Sequence, residues 1–296
     1  MPIEYISAKT ALSPMKPSNY WFSYNYNMNI YRGCSHGCIY CDSRSDCYHV
    51  ENFDTVKAKE NILTLLDTEL SKKRKKGVVG TGAMSDPYNP LEKKLELTRG
   101  ALKLLNHHEF GLVIITKSSL IQRDIDILKE ISRHSPVACI LTITCAEDEL
   151  SRKIEPCVAP SSERFTAVKA LSEAGIYTGI LLTPVLPFIT DTPENVRQIV
   201  RRAEENGAKF INAFFGVTLR SNQRDYYYAR LNEKFPGLTE KYIRTFGDRY
   251  SCSSPKAPLL RRQFQADCRE AQLLYRMPDI VKSYMDISTH TQLSFF

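Results

Sequence analysis

Apolar positions alternate between two rhythms through the middle of the chain. Ile62, Leu65, Leu66 and Leu70 recur at helical spacing, so Asn61–Lys73 reads as a helix with one buried face. Gly77–Thr81 and Leu112–Thr116 are short apolar runs bounded by turn formers, the pattern of strands buried on both faces. The same alternation predicts strands at Tyr24–Tyr31, Val137–Thr144, Tyr177–Leu182 and Phe210–Phe215. It predicts helices at Lys94–Glu109, Ile121–Arg133, Ser161–Ala174 and Pro193–Asn206. Gly175 follows one helix as a C-cap; Thr192, Pro193 and Gly207 stand at the N-cap, first-turn and terminating positions of another.

Six strands with helices between them imply parallel βα units, because parallel pairing requires a crossover. Eight such units would close a full barrel. Six predict an open α/β architecture, a partial (βα)6 TIM-type barrel over residues 1–217 with a lead-in at 1–23. Polar segments follow the strands at Cys34–Cys41, Ser85–Tyr88, Lys117–Ser118 and Thr144, the edge where parallel folds collect their chemistry.

The 296 residues are 43% hydrophobic and 25% charged, which excludes a disordered chain, a collagen and a small disulfide scaffold. The longest apolar stretch, Ile180–Ile189, is broken by Thr183, Pro184 and Pro187 and falls short of a membrane span. With no signal-peptide pattern in Met1–Tyr20, a cytoplasmic protein is expected. Net charge is +7, and most of it lies in residues 218–262, where ten Lys and Arg face four Asp and Glu. These residues form a basic extension, 218–285, expected to pack on the barrel and to favour a polyanionic partner, above all nucleic acid. Within it, Tyr226, Tyr227 and Tyr228 lie beside Arg224 and Arg230; one tyrosine is expected in the core and the others are candidates for base contact.

Nine cysteines, an odd number, argue against a disulfide framework. Cys34, Cys38 and Cys41 fall within one glycine-flanked loop, Arg32-Gly33-Cys34-Ser35-His36-Gly37-Cys38-Ile39-Tyr40-Cys41. The C-x3-C-x2-C spacing fits three thiolates on an iron–sulfur cluster with one iron left open. Zinc is the alternative, with Cys47, His36 or His49 as a fourth ligand. Cys252 and Cys268 read as structural.

This loop, with an aromatic residue before its last cysteine, resembles the radical S-adenosylmethionine (SAM) superfamily, whose partial barrel agrees with the strand count. The resemblance implies a [4Fe-4S] cluster on Cys34, Cys38 and Cys41, with SAM bound at the open iron. Cleavage of SAM then gives methionine and a 5′-deoxyadenosyl radical that abstracts hydrogen from the substrate. Five later segments, Gly82-Ala83-Met84-Ser85-Asp86, Ile115–Ser118, Leu141–Thr144, Ile154-Glu155-Pro156 and Ala174-Gly175-Ile176, occur in order. They are similar to the spore photoproduct lyase-like, or DNA repair photolyase-like, branch over roughly residues 25–220. By that resemblance the backbone at Tyr40 meets the adenine, and Ser85, Lys117 and Thr142 hold the rest of SAM. Two positions depart from the lyase pattern. Ala83 and Met84 stand where the lyase carries its hydrogen-donor cysteine, and Asp42 stands where it carries a tyrosine. Cys145, at a strand end, is the candidate replacement donor.

Residues 286–296 read as a flexible tail. Its end, Gln292-Leu293-Ser294-Phe295-Phe296, is similar to the pentapeptide by which bacterial repair proteins bind the sliding clamp. Leu293 and Phe296 would fill pockets while the terminus lies extended in a groove. The combined expectation is a cytoplasmic radical SAM enzyme acting on nucleic acid, in lesion repair or base modification, with flavodoxin or ferredoxin as electron donor. A radical enzyme for peptides or small molecules, and an inert metal-stabilised nucleic-acid-binding protein, are the alternatives.

Overall fold

The apolar runs pair side by side in the order in which they occur along the chain. A computed structural model describes residues 3–16 and 21–290, with side chains to Asp286. The strands are β1 (Tyr26–Met28), β2 (Val78–Thr81), β3 (Gly111–Thr116), β4 (Val137–Thr142), β5 (Thr178–Leu182) and β6 (Phe210–Ala213). Each pairs in parallel with the next. One short antiparallel strand, Leu12–Pro14, is added at the β1 edge. The longer helices between them are α1 (Ile62–Ser71), α2 (Leu97–His107), α3 (Ile125–Ser132), α4 (Ser161–Glu173) and α5 (Pro193–Glu205), with shorter ones at Glu92–Leu95 and Asp148–Ile154. This is the partial TIM-type barrel that the alternation predicts.

Alternate residues of each strand face opposite ways, and the two faces have separate cores. Leu112, Ile114, Cys139, Leu141, Ile180 and Leu182 pack with the helices. Val113, Ile115, Ala138, Ile140, Leu181 and Phe210 face the concave side. Two glycines make room there for aromatic rings. A Cβ on Gly80 would stand 2.5 Å from the Tyr24 ring, and one on Gly179 would stand 2.5 Å from Phe210.

Predicted boundaries differ where side chains cap or redirect the backbone. The helix expected over Lys94–Glu109 breaks at Glu96, which takes a left-handed φ of 49°. The buried Glu92 carboxylate then caps α2 by accepting from Thr98 N at 2.9 Å and Arg99 N at 3.3 Å. The helix expected over Ile121–Arg133 begins as a 3-10 turn, Ser119–Asp124. The strand expected over Tyr24–Tyr31 ends at Met28, and Tyr31–Arg32 pairs instead with Lys57–Lys59 in a small second sheet. At α5 the predicted cap is present: Thr192 Oγ1 accepts from Asn195 N at 3.1 Å.

The C-terminal segment continues as α6 (Ser221–Lys234), α7 (Leu238–Phe246), α8 (Ala257–Glu270) and α9 (Met277–His290). It is built into the barrel at three places. Tyr227, Leu231, Tyr242 and Phe246 share a core with Cys38, Ile39 and Tyr40 of the cysteine loop. Leu260, Phe264 and Cys268 join the helix-side core. Met277, Ile280 and Tyr284 enter the concave-side core with Phe22 and Tyr177. Helix α9 therefore covers the start of the segment expected to be a flexible tail, and Gln292, Leu293, Ser294, Phe295 and Phe296 lie outside the described residues.

The Tyr284 hydroxyl donates to the Phe22 carbonyl at 2.5 Å, and its side chain is fully buried. Tyr284→Ala should cost about 3–5 kcal/mol, the range for emptying a buried aromatic site. Urea unfolding checks this, with Tyr250→Ala, a half-exposed site, expected to change little.

Candidate metal centre

The cysteine loop leaves the sheet after β1 and is held from both sides. Gly33 has φ 80°, and a Cβ there would stand 2.6 Å from the Thr55 carbonyl oxygen. Cys34 N donates to the Phe53 carbonyl at 2.8 Å, Ile39 N to Ile154 at 3.0 Å, and Cys157 N to His36 at 3.1 Å. Cys34 and Cys38 are buried and Cys41 is half-buried, all as free thiols. Burial is the main cause raising all three thiols, Cys34 to about 12, so an adjacent cation would be needed to keep them ionised. Among the described residues no three His, Cys, Asp or Glu side chains gather around one point as a mononuclear ion requires. A cluster with one thiolate per iron needs no such point.

Beside this loop, the ends of β2 and β3 are tied together by Asp86. Its carboxylate accepts from Thr116 Oγ1 at 2.6 Å, Lys117 N at 2.8 Å and Tyr88 N at 2.9 Å. It also lies 3.5 Å from His36 Nδ1, linking the strand ends to the cysteine loop. Gly82 permits the turn into this segment: φ is 97°, and a Cβ would stand 1.9 Å from the Ile115 carbonyl oxygen. Ser85 is buried beside Asp86. Lys117 holds its ammonium 5.8 Å from the Tyr40 ring centroid. Burial opposes that charge, but Cys38, Glu155, Asp86 and Cys41 outweigh it and raise the lysine pKa.

A second tie is a fully buried ion pair, Arg164 Nη2 to Glu155 Oε2 at 2.6 Å, with both side chains 0% exposed. Arg164 also donates to the Thr142 carbonyl at 2.9 Å and the Ala159 carbonyl at 2.6 Å. Glu155 accepts from the Tyr40 hydroxyl and, at 3.4 Å, from Thr144 Oγ1. Burial alone would raise the Glu155 pKa. Arg164, Lys117 and Tyr40 more than reverse this and hold it below the ordinary glutamate range.

Lys117 and Tyr40, distant in sequence, thus approach each other at the end of the barrel where Ser85 follows β2 and Thr142 ends β4. Cys145 is buried nearby, 1% exposed, and its thiol donates to the Glu147 carbonyl at 3.4 Å. Burial raises that thiol pKa to about 11. Sequence patterns single out neither Arg164 nor Gln223. Gln223 Nε2 donates to the Tyr40 carbonyl at 3.1 Å, and its Oε1 accepts from Arg220 N at 2.8 Å. Asp42 receives the Tyr48 hydroxyl at 3.0 Å and Arg220 Nε at 3.1 Å. The residue that departs from the lyase pattern therefore anchors the C-terminal extension to the cysteine loop.

Arg164→Met leaves Glu155 charged and unpaired, and should cost about 3–5 kcal/mol. The double variant Glu155→Gln/Arg164→Met should recover most of that loss in urea unfolding. Because the folded Glu155 pKa is depressed, its stabilisation is present above the unfolded value. The deficit of Glu155→Gln should therefore be full at pH 7 and shrink as pH falls below about 4.3.

Solved structures of spore photoproduct lyase variants share the fold. One matches with a TM-score of 0.66 at 13% identity over 91% of this chain and 80% of its own. The radical SAM methyltransferase TsrM from Kitasatospora setae matches with a TM-score of 0.55 at 11% identity, over 91% of this chain and 58% of its own. An uncharacterized protein of Mycobacterium tuberculosis is 29% identical over 80% of this chain and 71% of its own length. One of Methanocaldococcus jannaschii is 34% identical over 63% of this chain and 68% of its own length. The profile of the Radical SAM superfamily matches residues 28–203, more than half of the chain, and the protein belongs to that superfamily, with its [4Fe-4S] cluster and SAM as cofactors.

Proposed function

We propose that this protein uses SAM radical chemistry to abstract hydrogen from a nucleic-acid substrate, with DNA lesion repair or base modification as the outcome. Cys34, Cys38 and Cys41 ligate the cluster in this reading, on a loop that already holds them as free thiols. The backbone at Tyr40 takes the adenine edge, the Lys117 ammonium takes the SAM carboxylate, and the Ser85 and Thr142 hydroxyls take its remaining polar groups. The cluster and SAM supply a one-electron cleavage that generates the hydrogen-abstracting species. The chain's residues hold the reactants and keep water out: Glu155 and Arg164 fix Tyr40, and Asp86 fixes the backbone at Lys117. Cys145 faces a protein carbonyl, a placement that favours packing over hydrogen donation.

The observation that carries the nucleic-acid reading is the seat of the basic extension against the cysteine loop. Arg220 meets Asp42, the Asn222 side chain accepts from Asp46 N at 3.0 Å, and the Arg44 guanidinium lies 4.0 Å from the Tyr226 ring centroid. Tyr227 is the core member of the tyrosine triplet, bonded to Tyr242 at 2.9 Å, while Tyr226 borders a cleft of about 490 Å³. Part of the positive charge serves the fold: Arg224 binds the carbonyls of Leu219, Gly247, Asp248 and Arg249. Arg244, Lys256, Arg261 and Arg262 are exposed and remain for a polyanion. A base stacked inside a duplex cannot reach such a site, so a flipped base or single strand is the expected form. The cytoplasm suits this reading, since the nine cysteines are free and no helix among the described residues is long and apolar enough to cross a membrane. A flavodoxin or ferredoxin is the fitting electron source.

Protein purified anaerobically should contain iron and sulfide, with most iron lost in Cys34→Ala, Cys38→Ala or Cys41→Ala. With SAM and reductant, deuterium from labelled oligonucleotides should appear in 5′-deoxyadenosine. Transfer from peptides or free nucleosides, with none from oligonucleotides, would assign another substrate class.

The tail carries a second proposed contact. Gln292–Phe296 docks on the bacterial sliding clamp and tethers the enzyme to DNA. Clamp capture should be lost on deleting these five residues, and capture that survives the deletion removes this contact.

A further inference from the structure

Beside the cysteine loop lies a smaller cavity of about 180 Å³. Its wall includes Asn29, Arg32, Tyr48, Lys59 and Ser85, and no carboxylate lines it. Lys59 is half-buried at the end of Lys57–Lys59, the central strand of the small second sheet, and its Nζ donates to the Asn29 carbonyl at 2.5 Å. Arg32 donates to the His49 carbonyl. Lys57, on the same strand, pairs with Glu4 at 3.5 Å, whereas among the described residues no carboxylate pairs with Lys59 or Arg32. Burial, and then the Arg32 charge, push the Lys59 pKa down, as uncompensated positive charge does. Two cations and the Ser85 hydroxyl therefore share one small space with Val50, Phe53 and Met84, and no carboxylate among the described residues lines it.

We infer that this cavity is a phosphate subsite, in which Arg32 and Lys59 hold a phosphodiester of the substrate next to the reacting position. A guanidinium offers paired N–H donors to phosphate oxygens, and an ammonium adds a compact charge. The volume suits one phosphate group and not a whole nucleotide. Ser85 belongs both to this wall and to the residues proposed to hold SAM, so an anion seated here borders the cofactor. The inference rests on the nucleic-acid reading above and refines it by naming where the strand's backbone is gripped.

The full-length protein, treated with a limiting amine-acetylating reagent and read by mass spectrometry, tests this without turnover. Inorganic phosphate and thymidine monophosphate should each slow Lys59 acetylation several-fold, with thymidine inactive and the exposed Lys103 unchanged. Arg32→Gln should abolish the protection, with folding verified by circular dichroism. Lys59→Gln should weaken single-strand binding and lower its salt slope by about 0.7. The inference falls if no phosphate compound protects Lys59, or if SAM alone protects it equally and so claims the pair for its carboxylate. Protection by phosphate in a protein that binds no oligonucleotide leaves the subsite standing and removes the nucleic-acid reading instead.

Discussion

A buried ion pair joins the two halves of the site. Glu155 and Arg164 are both sealed from solvent, and each spends its remaining bonding capacity on a different part of the barrel end. Arg164 reaches the last carbonyl of β4 and the turn before α4. Glu155 reaches Tyr40 in the cysteine loop. Isolated charges cannot be placed in such an interior, so each depends on the other, and the loop and strand depend on both. The loop that displays the thiols is thus fixed relative to the strand ends that face it, a condition of any chemistry needing aligned reactants.

Asp86 does similar work from the other side. It takes the turn after β2, the start of the loop after β3 and His36 from the cysteine segment into one carboxylate. The C-terminal helices complete the enclosure: Gln223 meets the Tyr40 carbonyl, and Arg220 meets Asp42. The extension is therefore part of the site's wall as well as a source of positive charge.

The strand order and the site's location were legible in the sequence because both rest on local regularities. Apolar runs such as Val137–Thr142 leave few alternatives to a buried strand, and the spacing of Cys34, Cys38 and Cys41 is a contiguous pattern. Ser85, Lys117 and Thr142 are proposed as SAM contacts through resemblance alone, since nothing local distinguishes Lys117 from any lysine after a strand. Arg164 was not legible. It sits within a helix among ordinary polar neighbours, and its burial follows from what lies across the fold. Glu92 was missed for the same reason: its value as a cap depends on a chain reversal that periodicity does not encode. Basic residues in 218–262 could be counted, but sequence could not separate Arg224, engaged by carbonyls, from the exposed Arg261 and Arg262.

The bond between Tyr284 and Phe22 spans 262 positions of the chain. A ribosome extending the polypeptide at about 5–20 residues per second needs roughly 13–50 s between making its two partners. Throughout that interval the apolar residues lining the barrel interior lack their final cover, and the nascent chain presents an unsealed greasy surface to the cell. Long-range closure of this kind is slow. Completion of the last helix, more than assembly of the strands, sets when the newborn molecule becomes safe from aggregation.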